Sequence, residues 1–197
     1  MAHFLDSVAA LDRLLFRAIN RDGGPALDGL ARLLSWDWFG VCVGLLALAW
    51  IVRARWPRVL REPLALAAAI LVSDLVGARV LRPLFGRMRP CYALPPGTFR
   101  WLSPAADVGS FPSLHASNLF ALALVGTLAC RRLAVPLYAA AVAVALSRVY
   151  VGVHWPTDAL AGAAWGTLAG AAGWAASGWG AARRTGADAE GGPPATP

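Results

Sequence analysis

No ionisable side chain occurs between Ala159 and Gly180, and a helix of roughly 20 apolar residues is long enough to cross a bilayer. Four other runs have the same character. In Pro112–Cys130 the only ionisable residue is His115, and in Leu133–Val151 it is Arg148. Trp38–Val52 is uncharged but short, and Pro63–Leu81 carries Asp74 and Arg79. Within 197 residues, five such runs leave too little chain to build a soluble shell. Composition agrees: 58% of residues are hydrophobic and 15% charged, against about 25% charged in soluble domains. The fold class expected is all-α, an integral membrane helical bundle of about five transmembrane helices.

The first 36 residues differ. In Phe4–Asn20 the residues Leu5, Val8, Leu11, Leu15 and Ile19 recur every three or four positions, opposite Asp12, Arg13 and Arg17. That spacing predicts an amphipathic helix lying in the membrane interface. A secretory signal is not expected, because a basic start is missing and Asp6 and Asp12 interrupt the apolar run. Residues 21–25 read as a turn and Ala26–Trp36 as a second interfacial helix. At the other end, residues 183–197 become small, polar and rich in Gly and Pro, as disordered tails are. The organisation expected is an interfacial N-terminal region (1–36), a transmembrane domain (37–182) and a disordered tail (183–197).

The net charge of +7 comes from 18 basic residues, every one of them arginine. Without lysine there is no GK[ST] phosphate loop and no lysine Schiff base. Cys42, Cys91 and Cys130 form neither a zinc spacing nor a disulfide framework. The arginines punctuate apolar runs, so the partner expected is a lipid bilayer and not a nucleic acid. With five crossings, Arg53, Arg55, Arg58, Arg61, Arg131, Arg132, Arg183 and Arg184 fall on one side. By the positive-inside rule that side is cytoplasmic. Residues 82–111 and 148–158 are then extracytoplasmic, and the Lys-free, Ala/Arg-rich composition points to a bacterial inner membrane.

Three stretches stand at those extracytoplasmic ends: RPLFGRMRP (82–90), FPSLHAS (111–117) and SRVYVGVHWPTD (147–158). Arginine is costly in hydrocarbon, so arginines at such depth usually line a polar cavity. Arg82, Arg89 and Arg148 supply guanidinium forks that match tetrahedral oxyanions. Ser113 opens a helix, where its hydroxyl and free amides can cap the chain or hold an anion. His154 and Asp158 are four apart across a helix start. The carboxylate can accept from one imidazole nitrogen, which fixes the tautomer and leaves the other free to attack. His115, on a separate helix, could protonate a leaving oxygen.

These residues resemble the signature of the type-2 phosphatidic acid phosphatase superfamily, the lipid phosphate phosphatases. Arg82 with Arg89–Pro90 matches the first motif, Pro112–Ser113–Leu114–His115 the second, and Ser147–Arg148 with His154 and Asp158 the third. The resemblance spans roughly residues 60–175. It implies catalysis without metal or cofactor, with a lipid phosphate as substrate. His154 would form a phosphohistidine, Asp158 would support it and His115 would protonate the leaving group. Arg82, Arg89, Arg148 and Ser113 would bind the phosphoryl oxygens. Two positions depart from the motifs: Arg82 stands for Lys, and Leu114 stands for Gly and therefore belongs to the substrate-binding set.

Undecaprenyl diphosphate is the first substrate expected. Phosphatidylglycerol phosphate, phosphatidic acid and lipid A 1-phosphate are alternatives, as is phosphotransfer by the same phosphohistidine. The rival from another class is a catalytically silent protein that binds anionic lipid. Outside the motifs, Arg87 and Arg100 read as solvated or headgroup-contacting, and Asp74 as paired with Arg79 or a motif arginine. Gly162, Gly166 and Gly170 form a GxxxGxxxG seam. Internal packing is favoured there over an oligomer contact.

Overall fold

The structure, a computed structural model, describes residues 2–55, 61–105 and 107–190, with side chains for 7–53, 62–105 and 107–178. Helix α1 (Ala2–Ile19) turns at Asn20–Gly23 into α2 (Gly24–Leu34), and a bend of 66° leads into α3 (Asp37–Arg55). Next come α4 (Arg61–Val76), a π-helical turn (Gly77–Leu81) and the short α5 (Arg82–Phe85). A loop holding α6 (Pro90–Ala93) returns the chain to α7 (Leu114–Ala129). Then follow α8 (Ala134–Tyr150) and α9 (Pro156–Glu190). No strand occurs among the described residues; an isolated bridge joins Met88 to Gly109.

Helices lie at all five expected spans. Glu62–Phe85 and Arg131–Tyr150 are each long and apolar enough to cross a membrane. The bent pair α2–α3 meets that test only when taken together, and α7 is apolar but shorter. Leu46, Leu64, Leu71, Leu128, Val135, Leu146, Leu160 and Leu168 all point outward. An apolar surface on that scale is what a lipid-facing bundle presents. Inside, Leu119, Leu122, Leu137, Ala141 and Val144 fill the space between α3, α7 and α8.

Helix α7 packs on α9 through the glycine seam. A Cβ at Gly166 would overlap the Ser117 carbonyl oxygen, and one at Gly162 that of Ser113. At Gly170 it would stand 3.2 Å from the Ala121 backbone. Without a hydrophobic force between helices in lipid, such close backbone approach is a main source of attraction. Gly162, Gly166 and Gly170 thus pack against α7 of the same chain.

The ends of the chain depart from expectation. Helix α9 continues to Glu190, into the segment read as disordered. Its sequence there is Ala-rich, with no proline before Pro193; residues 191–197 lie outside those described. Helix α1 is not simply interfacial. Leu11, Leu14 and Leu15 are exposed, whereas Asp12, Phe16 and Asn20 are buried. The polar Asp12 thus faces the protein. Asn20 Nδ2 donates to the carbonyls of Tyr150 (2.6 Å) and Arg100 (2.8 Å), tying the end of α1 to α8. Arg100, expected to be solvated, grips both carboxylate oxygens of Asp28 in α2. That carboxylate and the Tyr150 hydroxyl hold the Arg100 guanidinium above its ordinary pKa.

Candidate active site

Asp158 lies in the first turn of α9, and its Oδ2 accepts from the Trp155 backbone N–H (2.8 Å). A carboxylate reaching back three residues in this way caps the helix start. His154 precedes that cap, its own N–H held by the Arg148 carbonyl (3.2 Å). The imidazole is 1% exposed. Its Nε2 accepts from Arg89 Nη1 at 2.8 Å, while Nδ1 faces Asp158 Oδ2 at 3.6 Å. An acceptor at Nε2 places the proton on Nδ1, toward the carboxylate. At 3.6 Å that contact is longer than a hydrogen bond, as catalytic pairs often are before a ligand binds. Burial, then the charges of Arg89, Arg148, His115 and Arg82, hold the imidazole pKa well below its ordinary value. His154 is therefore neutral, and Nε2 is its unprotonated nitrogen, whose lone pair is directed at the Arg89 guanidinium.

The arginines surround that nitrogen. Backbone pairing of residues 87–89 with 108–110 brings the first and second motifs together through Arg89 N–H to Val108 (3.1 Å) and Ser110 N–H to Arg87 (2.8 Å). Arg89 Nη2 donates to Asp107 Oδ1 (2.7 Å) and its Nε to the Asp107 carbonyl (2.7 Å). Arg82 pairs with Asp107 Oδ2. One carboxylate thus bridges two guanidiniums that the motifs nominate for an anion. Arg148 Nη1 donates to the Ser35 carbonyl (2.7 Å). His115 Nε2 lies 2.9 Å from Asp37 Oδ1 but is not aligned for a hydrogen bond.

Among the described residues, a small number of buried side-chain polar atoms have no hydrogen-bond partner. Five belong to the motifs: Arg82 Nε, Ser113 Oγ, His115 Nε2, Arg148 Nε and His154 Nδ1. Buried polar groups are normally satisfied, so this concentration marks a place built for a polar guest. The site opens into a cavity of about 1140 Å³. Arg82, Arg89, His115, Arg148 and His154 line its polar part, and Leu45, Leu48, Leu66, Ile70 and Leu122 its apolar part.

The PAP2 superfamily model matches residues 62–180, which hold all three motifs. The chain belongs to the PAP2 superfamily. An Escherichia coli (strain K12) protein with the provisional name undecaprenyl-diphosphatase YbjG is 36% identical over 77% of this chain and 75% of its own length. A decaprenylphosphoryl-5-phosphoribose phosphatase of Mycobacterium tuberculosis is 35% identical over 75% of this chain and 78% of its own. The crystal structure of Aquifex aeolicus LpxE superposes with a TM-score of 0.66 at 25% identity, covering 83% of this chain and 94% of that one. A transmembrane PAP2-type phosphatidylglycerolphosphate phosphatase from Bacillus subtilis shares the fold (TM-score 0.63, 23% identity, 85% of this chain and 84% of that one).

This PAP2 protein is accordingly an integral membrane lipid phosphatase, a phosphoric monoester hydrolase. Its Leu114, in place of the motif glycine, turns toward the π-helical turn after α4, where its Cδ2 fills the space above Gly77. No described residue other than glycine has positive φ, so Leu114 takes its place in α7 without backbone strain. Asp74 accepts a hydrogen bond from Asn118 Nδ2 (3.1 Å) and its charge acts on the motif arginine Arg82, while Arg79 is exposed. Arg87, read as solvated, is a central residue. Its Nη1 donates to Asp158 Oδ1 (2.8 Å) and Thr157 Oγ (2.6 Å), its Nη2 pairs with Asp12, and its guanidinium lies 5.4 Å over the Trp155 ring. Neither Arg87 nor Asp12 was legible as a site residue. The available signal was the helical stripe Val8, Asp12, Phe16, which sets an acid among inward-facing apolar residues.

Proposed function

We propose that this PAP2 protein hydrolyses a polyprenyl diphosphate, undecaprenyl diphosphate first, through a phosphohistidine on His154. The observation that carries this is the His154 Nε2 lone pair, held toward Arg89 (2.8 Å) at the polar end of a cavity with apolar walls. The polyprenyl substrates in the names of the Escherichia coli and Mycobacterium tuberculosis relatives support the choice of lipid.

In the first step Nε2 attacks the terminal phosphorus, and the bond from phosphorus to the bridging oxygen breaks. The departing lipid monophosphate takes the electron pair, with a proton from His115. Water then attacks the phosphohistidine, giving its proton back to His115 and releasing inorganic phosphate. Arg82, Arg89, Arg148 and Ser113 Oγ hold the phosphoryl oxygens, and their attraction grows with the charge of the transition state. Asp158 supports the imidazole. No metal or cofactor takes part. With five crossings, the positive-inside rule supports an extracytoplasmic site, the eight arginines of the other face lying in the cytoplasm.

Phosphate release from purified protein tests the proposal. Undecaprenyl diphosphate, phosphatidylglycerol phosphate, phosphatidic acid and lipid A 1-phosphate are assayed with EDTA, with and without an acceptor lipid. Fastest release from undecaprenyl diphosphate, insensitive to EDTA and lost in His154→Ala, is the expected result. Undiminished release in His154→Ala would sink the mechanism, and release that requires the acceptor would make the protein a phosphotransferase. Reporter fusions in the 131–133 turn and the 94–105 loop test the orientation.

A further inference from the structure

Behind His154, on the side away from the cavity arginines, three charged residues form a closed group. Asp158 Oδ1 meets Arg87 Nη1 at 2.8 Å, and Arg87 Nη2 meets Asp12. Thr157 locks the group: its N–H donates to Asp12 Oδ1 (2.9 Å), its hydroxyl donates to Asp12 Oδ2 (2.8 Å) and accepts from Arg87 Nη1 (2.6 Å). Both carboxylates are buried, Asp12 at 1% exposure. A buried carboxylate is retained only with partners that offset its desolvation. Thr157 is also in the first turn of α9, where free N–H groups and the helix dipole favour an anion. Asp12 comes from α1, outside residues 62–180 matched by the family model.

We propose that Asp12 and Arg87 are positioning residues for the nucleophilic step. With Asp158 they make a cluster of two carboxylates and one guanidinium, net one negative charge, that faces the imidazole. The inference rests on the phosphohistidine reaction proposed above. In that reaction a neutral His154, with its proton on Nδ1, becomes a cation when Nε2 bonds to phosphorus. Arg87 alone would orient Asp158 but cancel its charge. Asp12 neutralises Arg87 and so returns the negative charge to Asp158, opposite the developing cation. The other groups bearing on His154 are cationic or titratable: Arg82 from α5, Arg89 from the following loop, His115 from α7 and Arg148 from α8. Asp107 lies between Arg82 and Arg89, and Asp37 lies against His115. Against this positive field, loss of the net charge behind the ring has no substitute.

The test is a charge cycle in full-length protein with undecaprenyl diphosphate as substrate, read by kcat, KM and the ¹⁵N titration of the His154 ring. Asp12→Asn keeps an acceptor for the Thr157 N–H but brings the cluster to zero. Its kcat is expected to fall about 10- to 100-fold, the loss that goes with about one to two pKa units less support for the developing cation, with KM changed less than about twofold. Arg87→Gln brings the cluster to two negative charges. The double variant restores one, and recovers at least about tenfold in kcat over Asp12→Asn. The His154 titration moves to lower pH in Asp12→Asn, to higher pH in Arg87→Gln, and back toward wild type in the double. Should Arg87→Gln fail to fold, Asp12→Asn and the double still decide. Wild-type kcat in Asp12→Asn, or a double no better than that single, overturns the proposal; a mere packing role would give additive losses and no opposed titration shifts. If wild-type protein releases no phosphate from undecaprenyl diphosphate, the substrate proposal fails, and the kinetic arm of this test with it. The ring titrations distinguish that case from the first, since they need no turnover.

Discussion

The Leu114 side chain occupies the space that residue 77 leaves by having no Cβ: a methyl added at Gly77 would stand 2.5 Å from Leu114 Cδ2. Gly77 opens the π-helical turn that leads into Arg82, and such turns recur at functional sites. The two positions therefore act as one. Gly77→Ala gains about 1 kcal/mol of helix propensity, set against an overpacking cost of about 1–3 kcal/mol. Leu114 ends in a flexible side chain and will move toward the cavity it already lines. The melting temperature is expected to change little while KM rises severalfold. Gly77→Ala with Leu114→Ala should restore KM, which steady-state kinetics on both variants will check.

Asp107 bridges Arg82 and Arg89 where a phosphoryl group would draw on the same two guanidiniums. Its side chain is 44% exposed, so each ion pair is worth at most about 1 kcal/mol. A bound phosphate must displace it. Asp107→Asn should lower the inhibition constant of inorganic phosphate about two- to fivefold, the range that such an energy spans. A rise in that constant would mean that Asp107 instead holds the arginines in place for the anion.

The low pKa of His154 has two consequences of opposite kind. Burial and the surrounding cations keep the ring neutral below its ordinary value, so the acid limb of kcat/KM assigned to His154 should lie below pH ~6.5. Stability changes the other way. Above pH ~6.5 the ring is neutral in both folded and unfolded chains and contributes no pH dependence. As pH falls below that value the unfolded chain takes up a proton that the folded one refuses, and stability is lost. His154→Gln should flatten the fall of melting temperature between neutral and acid pH. An unchanged slope in that variant would assign the acid sensitivity elsewhere.

At the α7–α9 contact the methyl of Gly166→Ala would overlap a main-chain oxygen, that of Ser117, which cannot swing aside as Leu114 can. The helices must separate, at a cost of about 3 kcal/mol or more, among the largest point effects. Gly29→Ala, with open space around it, gains helix propensity and should be neutral or slightly stabilising. Thermal unfolding in the same detergent compares the pair, and equal melting temperatures would contradict the packing described.

Much of this protein was open to inspection residue by residue. The helices fall where apolar runs with few charges predict them, because solvation in hydrocarbon is decided by local composition. His154 and Asp158 were legible as a pair since four positions across a helix start determine their separation. The orientation of α1 was not. Leucines and acids alternate on a turn of 3.6 residues whether the leucines face protein or lipid, and in a membrane protein the apolar face often looks outward. Only packing against α8 and α9 decides that Asp12 points inward.

The sequence by itself determined a membrane-embedded helical bundle, the three motif segments and the chemical types gathered at the site, because each depends on neighbours along the chain. The tertiary structure decided the partners. It set Arg87 between Asp12 and Asp158, Asp107 across two arginines and Leu114 over Gly77. Those relationships join residues tens of positions apart. The energy of a buried charge or an absent methyl depends on what the folded chain places against it, and covalent order does not carry that information.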